Sequence, residues 1–152
     1  MDEGARARLI LTVTNAVHEV IHPEQLQPGS VVCDVARPRD VSVMVAATRN
    51  DILVIDGGMV DVPGSVDFHF NFGFPPGKAY ACMAETMTLA LEGRFEDYTL
   101  GKVITRQRVD EIAALSAKHG FRLSGFRSFE HAVTEQQIET VRRNAHQSRR
   151  SS

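Results

Sequence analysis

Three short apolar runs, Leu9 to Val13, Ser30 to Val35 and Ile52 to Asp56, constrain the fold of this chain more than any other feature. Each is rich in Val, Ile and Leu without clean alternation, which is how strands covered on both faces of a parallel sheet read. Parallel neighbours need a crossover connection. The stretches between them, Ala16 to Leu26 and Val41 to Thr48, are each long enough for a helical turn or more, and each is followed by a Pro, Gly or Asn break. The expected class is therefore α/β, with about three parallel strands followed by helices. The signals for those helices lie at Lys78 to Glu92, at Thr105 to His119 and near Glu135 to Asn144. Thr105 is a suitable N-cap and Gly120 a suitable stop for the second, and the capping-box pair Thr134 and Gln137 opens the third.

At 152 residues and 43% hydrophobic content the chain is long enough for one domain with a real core. The pattern divides it into residues 8–128, a partial parallel sheet with its helices, residues 129–145, a terminal helix, and residues 146–152, a frayed basic tail. With 17 basic against 19 acidic residues, no global field draws in nucleic acid or a membrane surface. No apolar run is long enough to cross a bilayer, and Met1 to Arg6 lacks the apolar core of a secretion signal, so the chain reads as cytoplasmic. Cys33 and Cys82 have no spacing typical of a disulfide framework and read as free thiols.

Cys82 follows Pro75-Pro76-Gly77 in the first turn of an expected helix, where the peptide dipoles favour negative charge, with Lys78 four residues earlier on the same face. It is a candidate nucleophile, against the alternative of a small buried residue. Phe68, Phe70, Phe72 and Phe74 fall on alternate positions and share one face if extended, as core or as the lining of an apolar pocket. His18-Glu19-Val20-Ile21-His22 matches the zinc-hydrolase pattern as a string, but Pro23 biases His22 away from helical geometry, and no third ligand stands at a familiar spacing. No metal is expected.

The segments Ala81-Cys82-Met83-Ala84-Glu85-Thr86-Met87, Leu91-Glu92-Gly93-Arg94, Leu100-Gly101 and Ala117-Lys118-His119-Gly120-Phe121 resemble the C-terminal part of the aldehyde-forming long-chain acyl-(acyl-carrier-protein) reductases. The resemblance extends back through Val54 to Val60 and Val32 to Pro38, covering about residues 8 to 125, and Asp34 to Val41 also resembles a segment of glutamyl-tRNA reductase. It implies the C-terminal half of a Rossmann-like NADP-binding sheet followed by helices. It further implies that Cys82 takes a fatty acyl group as a thioester from acyl carrier protein or acyl-CoA, and that NADPH reduces it to an aldehyde. Glu85, one turn on, would serve as a proton relay. Ligands of such sheets sit beyond the carboxyl ends of the strands, which selects Thr14, Asn15 and Ala16, then Ala36 and Arg37, then Gly57 and Gly58 as cofactor-binding candidates.

The chain departs from that family in having no G-x-G-x-x-G turn, and only a few residues precede the first strand. The expectation is that the chain is a fragment of a longer product or that another polypeptide supplies the missing strands; alone it would leave an open sheet edge, which favours self-association. Two other readings stand beside the reductase: a non-catalytic remnant that binds a partner, and a relative of amino-acid or shikimate dehydrogenases that moves hydride without a covalent thioester.

Overall fold

In the computed structural model, which describes residues 7–101, 103–129 and 131–150, the three apolar runs become β1 (Leu9–Thr12), β2 (Val31–Asp34) and β3 (Leu53–Asp56). They pair in parallel in the order β1-β2-β3. Ile10, Val32 and Val54 form one row across the sheet, and Thr12, Asp34 and Asp56 another on the same face. With its helices this is the α/β architecture with a parallel sheet that the apolar runs predict, and it is consistent with the partial Rossmann-like fold that the resemblance implies.

The chain divides into two compact units, the first comprising residues up to Gly57 and from Phe126 onward, the second Gly58–Gly125. In the first, Val32 and Val54 join Leu26, Val41, Val45 and Ile52 in a buried cluster, with Ile10, Ile21 and Phe129 packed against it. Burial of each such side chain is worth about 1.5–3 kcal/mol. Helix α1 (Val43–Thr48) contributes Val45 and is capped by Ser42, whose hydroxyl accepts the Met44 amide. The opposite face carries Leu9, Leu11, Val31, Cys33, Leu53 and Ile55, and towards the β1 edge Leu9 and Leu11 are 76% and 66% exposed. A short hairpin, β7 (Arg127–Ser128) with β8 (His131–Ala132), lies against β3 and leads into α4 (Glu135–Arg150).

The second unit is a three-stranded antiparallel sheet, β5 (Lys78–Tyr80), β4 (Met59–Asp61) and β6 (Arg122–Leu123), with α2 (Ala81–Leu91) and α3 (Arg106–Lys118). Thr105 caps α3 as its position predicts, its hydroxyl accepting the Arg108 amide, and Thr134 does the same for Gln137 at the start of α4.

Several expectations are corrected. Residues 16–26 hold no α-helix, only a single 3-10 turn at Pro23–Gln25. Ile21 instead bridges to Val41 in parallel, and the amides of Val20 and Ile21 both donate to the Asp40 carbonyl, so the segment's donors are met by extended pairing. The helix expected from Lys78 starts at Ala81, because Lys78–Tyr80 pairs with β4 as a strand. The phenylalanine run is not extended: His69 has φ +51°, and the side chains of Asp67 and Asn71 fold the backbone back by accepting the amides of His69 and Gly73. None of the four rings is buried; they pack around Phe72, edge-on from Phe68, tilted from Phe70 and stacked with Phe74, with centroids 4.7 to 5.9 Å apart, and line a hollow of about 430 Å³. Finally, α4 continues past Asn144 to Arg150 rather than fraying, since no Gly or Pro interrupts it and Ala145 is buried.

Candidate functional site

Cys82 is the second residue of α2, whose N-cap, Tyr80, supplies no side-chain acceptor; the Ala81 amide donates to the Gly58 carbonyl at 2.5 Å. The thiol is exposed rather than packed into a core. It lines a groove of about 420 Å³ with Ala81, Ala84 and Glu85 of α2, Ile112, Ala113, Ser116 and Ala117 of α3, and Val60, Phe121, Arg122 and Leu123. That size is in the range of small-molecule sites, and the lining is mostly apolar. Cys82 and Glu85 are thus brought together on one wall, one helical turn apart. Lys78 is not their neighbour on a shared helix face: in β5 its ammonium donates to Asp61 at 2.5 Å and to the Ser124 hydroxyl. Glu85 accepts a hydrogen bond from the Thr99 hydroxyl at 2.5 Å. Between the helices, buried Thr88 and half-buried Ser116 share a hydrogen bond of 3.0 Å.

In the first unit, the candidates at the carboxyl ends of the parallel strands are arranged around carboxylates. The Thr14 amide and hydroxyl both donate to Asp40, at 2.9 and 2.5 Å, and the Thr12 hydroxyl donates to it as well. The Ala16 amide donates back to the Thr14 hydroxyl, 3.1 Å away. The Ala36 and Val41 amides donate to the two oxygens of Asp34, each at 3.0 Å, and Arg37 donates to the Ala36 carbonyl. Arg39 makes a two-point pair with Asp56 and stacks on Phe129. Asn15 is exposed, with no role in this network. Gly57 donates its amide to the Asp34 carbonyl, and a Cβ there would stand 2.5 Å from Val35 Cγ2, so its smallness is used for internal packing. Gly58, with φ +76°, opens the second unit.

Burial alone would raise the Asp40 carboxyl, but the hydrogen bonds from Thr12 and Thr14 outweigh it and hold the group below the usual carboxylate range. A folded value below the unfolded one means stability that is present above about pH 4 and lost as pH falls through the folded value. The urea midpoint of the native chain should therefore drop more steeply below about pH 4 than that of Asp40→Asn, with the gap between them closing in acid. Parallel curves would remove Asp40 from that role. Burial also pushes the Cys33 thiol upward, which leaves it poorly suited to attack.

His18, Glu19 and His22 do not lie on a helix. Glu19 accepts the Val43 amide at the start of α1, and the His22 amide donates to Gln25 Oε1 at 2.7 Å. Among the described residues no group of three His, Cys, Asp or Glu side chains is placed to hold a metal ion, and no helix is long and apolar enough to cross a membrane.

The sequence pattern passed over Asp34, Asp40 and Asp56, the α3 wall of the groove, and Thr99. A signal existed for Asp34, Asp56 and the α3 wall. Strands β2 and β3 both end in Asp at matching register, and Ile112, Ala113, Ser116 and Ala117 repeat at the spacing of one helix face. Thr99 carried none.

No family model matches the chain. It is 38% identical over 144 residues to the aminotransferase PigE of Serratia sp. (strain ATCC 39006), a match covering 93% of this chain and 17% of that protein. It is 29% identical over 108 residues to the long-chain acyl-[acyl-carrier-protein] reductase of Synechococcus elongatus, covering 68% of this chain and 31% of the reductase. The chain thus spans less than a third of the length of either relative.

Proposed function

We propose that this chain is the acyl-accepting segment of an oxidoreductase that reduces a fatty acyl thioester to an aldehyde. The observation that carries the reading is an exposed thiol, Cys82, on the wall of an apolar groove with the Glu85 carboxylate one turn away. The sulfur of Cys82 attacks the thioester carbonyl, the bond from that carbon to the carrier's sulfur breaks, and the carrier leaves as a thiol with the proton Cys82 gives up. Glu85 relays that proton, and Ile112, Phe121 and Leu123 receive the apolar chain. The similarity to an acyl-[acyl-carrier-protein] reductase supports this choice of substrate, brought by a carrier protein or as acyl-CoA. An aldehyde is also a carbonyl acceptor of the kind amino transfer requires, so the reading accommodates the similarity to an aminotransferase.

NADPH is the hydride donor this reading calls for. The strand-end residues do not by themselves fit its pyrophosphate: the Asp34 and Asp40 carboxylates stand there, the Arg39 guanidinium is engaged with Asp56, and the amides of Thr14, Ala16, Ala36 and Gly57 are all spent within the network. The chemistry assigned here is therefore acyl transfer. A thiol nucleophile suits the reducing cytoplasm.

The test is incubation of folded full chain with a long-chain acyl-CoA, read by intact mass. The expected result is one acyl adduct on the native chain and none on Cys82→Ser, a loss of essentially all modification. The exposed Leu9 and Leu11 on edge strand β1 favour a second reading, a non-catalytic module whose sheet is extended by another chain or a second copy. Absence of an adduct on folded protein would move that reading ahead.

A further inference from the structure

Glu85 stands in the wall shared by the Cys82 groove and a neighbouring hollow that contains Thr99. The Thr99 hydroxyl donates to Glu85 Oε1 at 2.5 Å, and among the described residues no cation pairs with that carboxylate. Thr99 is itself held in place by the residue before it. Tyr98 is only 4% exposed, its hydroxyl lies 2.7 Å from Glu111 Oε2, and Arg108 donates to the Tyr98 carbonyl. The donor is thus presented to Glu85 from an anchor on α3. A glutamate on a helix surface otherwise samples several rotamers, and ordering it costs entropy. A hydrogen bond to Oε1 removes much of that freedom and leaves Oε2 to carry a proton.

We infer that Thr99 is a positioning residue for acyl transfer at Cys82. It holds Glu85 so that the carboxylate takes the Cys82 proton as the sulfur attacks, then returns it to the departing carrier sulfur. The inference rests on the acyl-transfer reading for its reaction, but the same geometry acts on the thiol whichever electrophile arrives. That separates the two tests.

The experiment is alkylation of Cys82 in the full chain by iodoacetamide, a neutral electrophile, with the rate read at Cys82 by peptide mass. The S–C bond forms as the C–I bond breaks, and the thiol proton leaves to Glu85. Thr99→Val and Glu85→Gln should each react about tenfold more slowly, since general-base assistance is worth ~10²–10⁴ where fully expressed. The double variant should be no slower than either single one, because both remove one device. Thr99→Ser, which keeps the hydroxyl, should stay within about twofold of native. A native rate in folded Thr99→Val or in Glu85→Gln would overturn the inference, as would Thr99→Ser falling as far as Thr99→Val. If Thr99→Val does not fold, Glu85→Gln and Thr99→Ser still decide the matter. A Thr99 effect without any acyl adduct would sink the acyl-transfer reading alone, and an adduct without a Thr99 effect would sink the positioning role alone.

Discussion

Asp34→Ala is expected to lower the unfolding free energy of the first unit by about 3 kcal/mol, because two buried backbone amides lose their acceptor at once. Asp34 is fully buried at the end of β2, and its two oxygens take the amides of Ala36 and Val41, 3.0 Å away in each case. Val41 is itself fully buried and belongs to the apolar cluster, so water cannot easily replace the lost carboxylate there. The urea midpoint should fall by about 1–2 M, and the Ala36 and Val41 amides should lose protection from hydrogen exchange before the rest of β2 does. Asp34→Asn keeps an acceptor for one of the two amides and should lose about half as much. A change in Asp34→Ala below about 0.5 kcal/mol would mean that the amides find other partners, and the strand-end network would not be a structural unit.

In the second unit the largest effect is expected at Tyr98. Its ring is buried between two guanidinium groups, with Arg94 and Arg108 carbons 5.0 and 5.3 Å from the ring centre. Its hydroxyl lies 2.7 Å from Glu111 Oε2 and 3.1 Å from the Arg108 carbonyl, and its single proton goes to the carboxylate, the stronger acceptor. Burial, and then that carboxylate, push the phenol upward, so it stays protonated and donating. Arg94 also donates to Glu111, so ring, hydroxyl and arginine close a loop between the α2–α3 link and α3. Tyr98→Ala opens a cavity and takes the ring away from both guanidinium groups, and it should lower the melting temperature of this unit by about 10 °C or more. Tyr98→Phe keeps the stacked ring and should lose only about a third of that. Scanning calorimetry of the two variants checks both. Near-equal losses would shift the weight from the ring to the hydroxyl.

Much of the first unit was legible from residue order. Runs of Val, Ile and Leu without alternation read as parallel strands, and β1, β2 and β3 fall within those runs, although only one face of the sheet is buried and Leu9 and Leu11 of β1 stand exposed on the other. Thr105 and Thr134 announced their helices because a cap is a contact between residues three apart. The errors fell where a distant partner outbid local preference. Ala16 to Leu26 looks helical by length alone, yet Asp40 and Val41 draw it into extended pairing; Lys78 to Tyr80 looks like the start of a helix, yet β4 claims it as a strand.

The same division runs through the candidate site. That Cys82 and Glu85 share a helix face follows from their spacing, and the sequence alone determines it. Tertiary structure decided that the thiol is exposed on a groove, that α3 supplies the opposite wall, and that Lys78 turns to Asp61 instead. It alone brought Thr99 to Glu85 across fourteen positions, and Asp40 to Thr12 across twenty-eight. Periodicity records which side of an element a residue occupies, whereas a hydrogen bond between elements depends on how the chain returns, which no local pattern encodes.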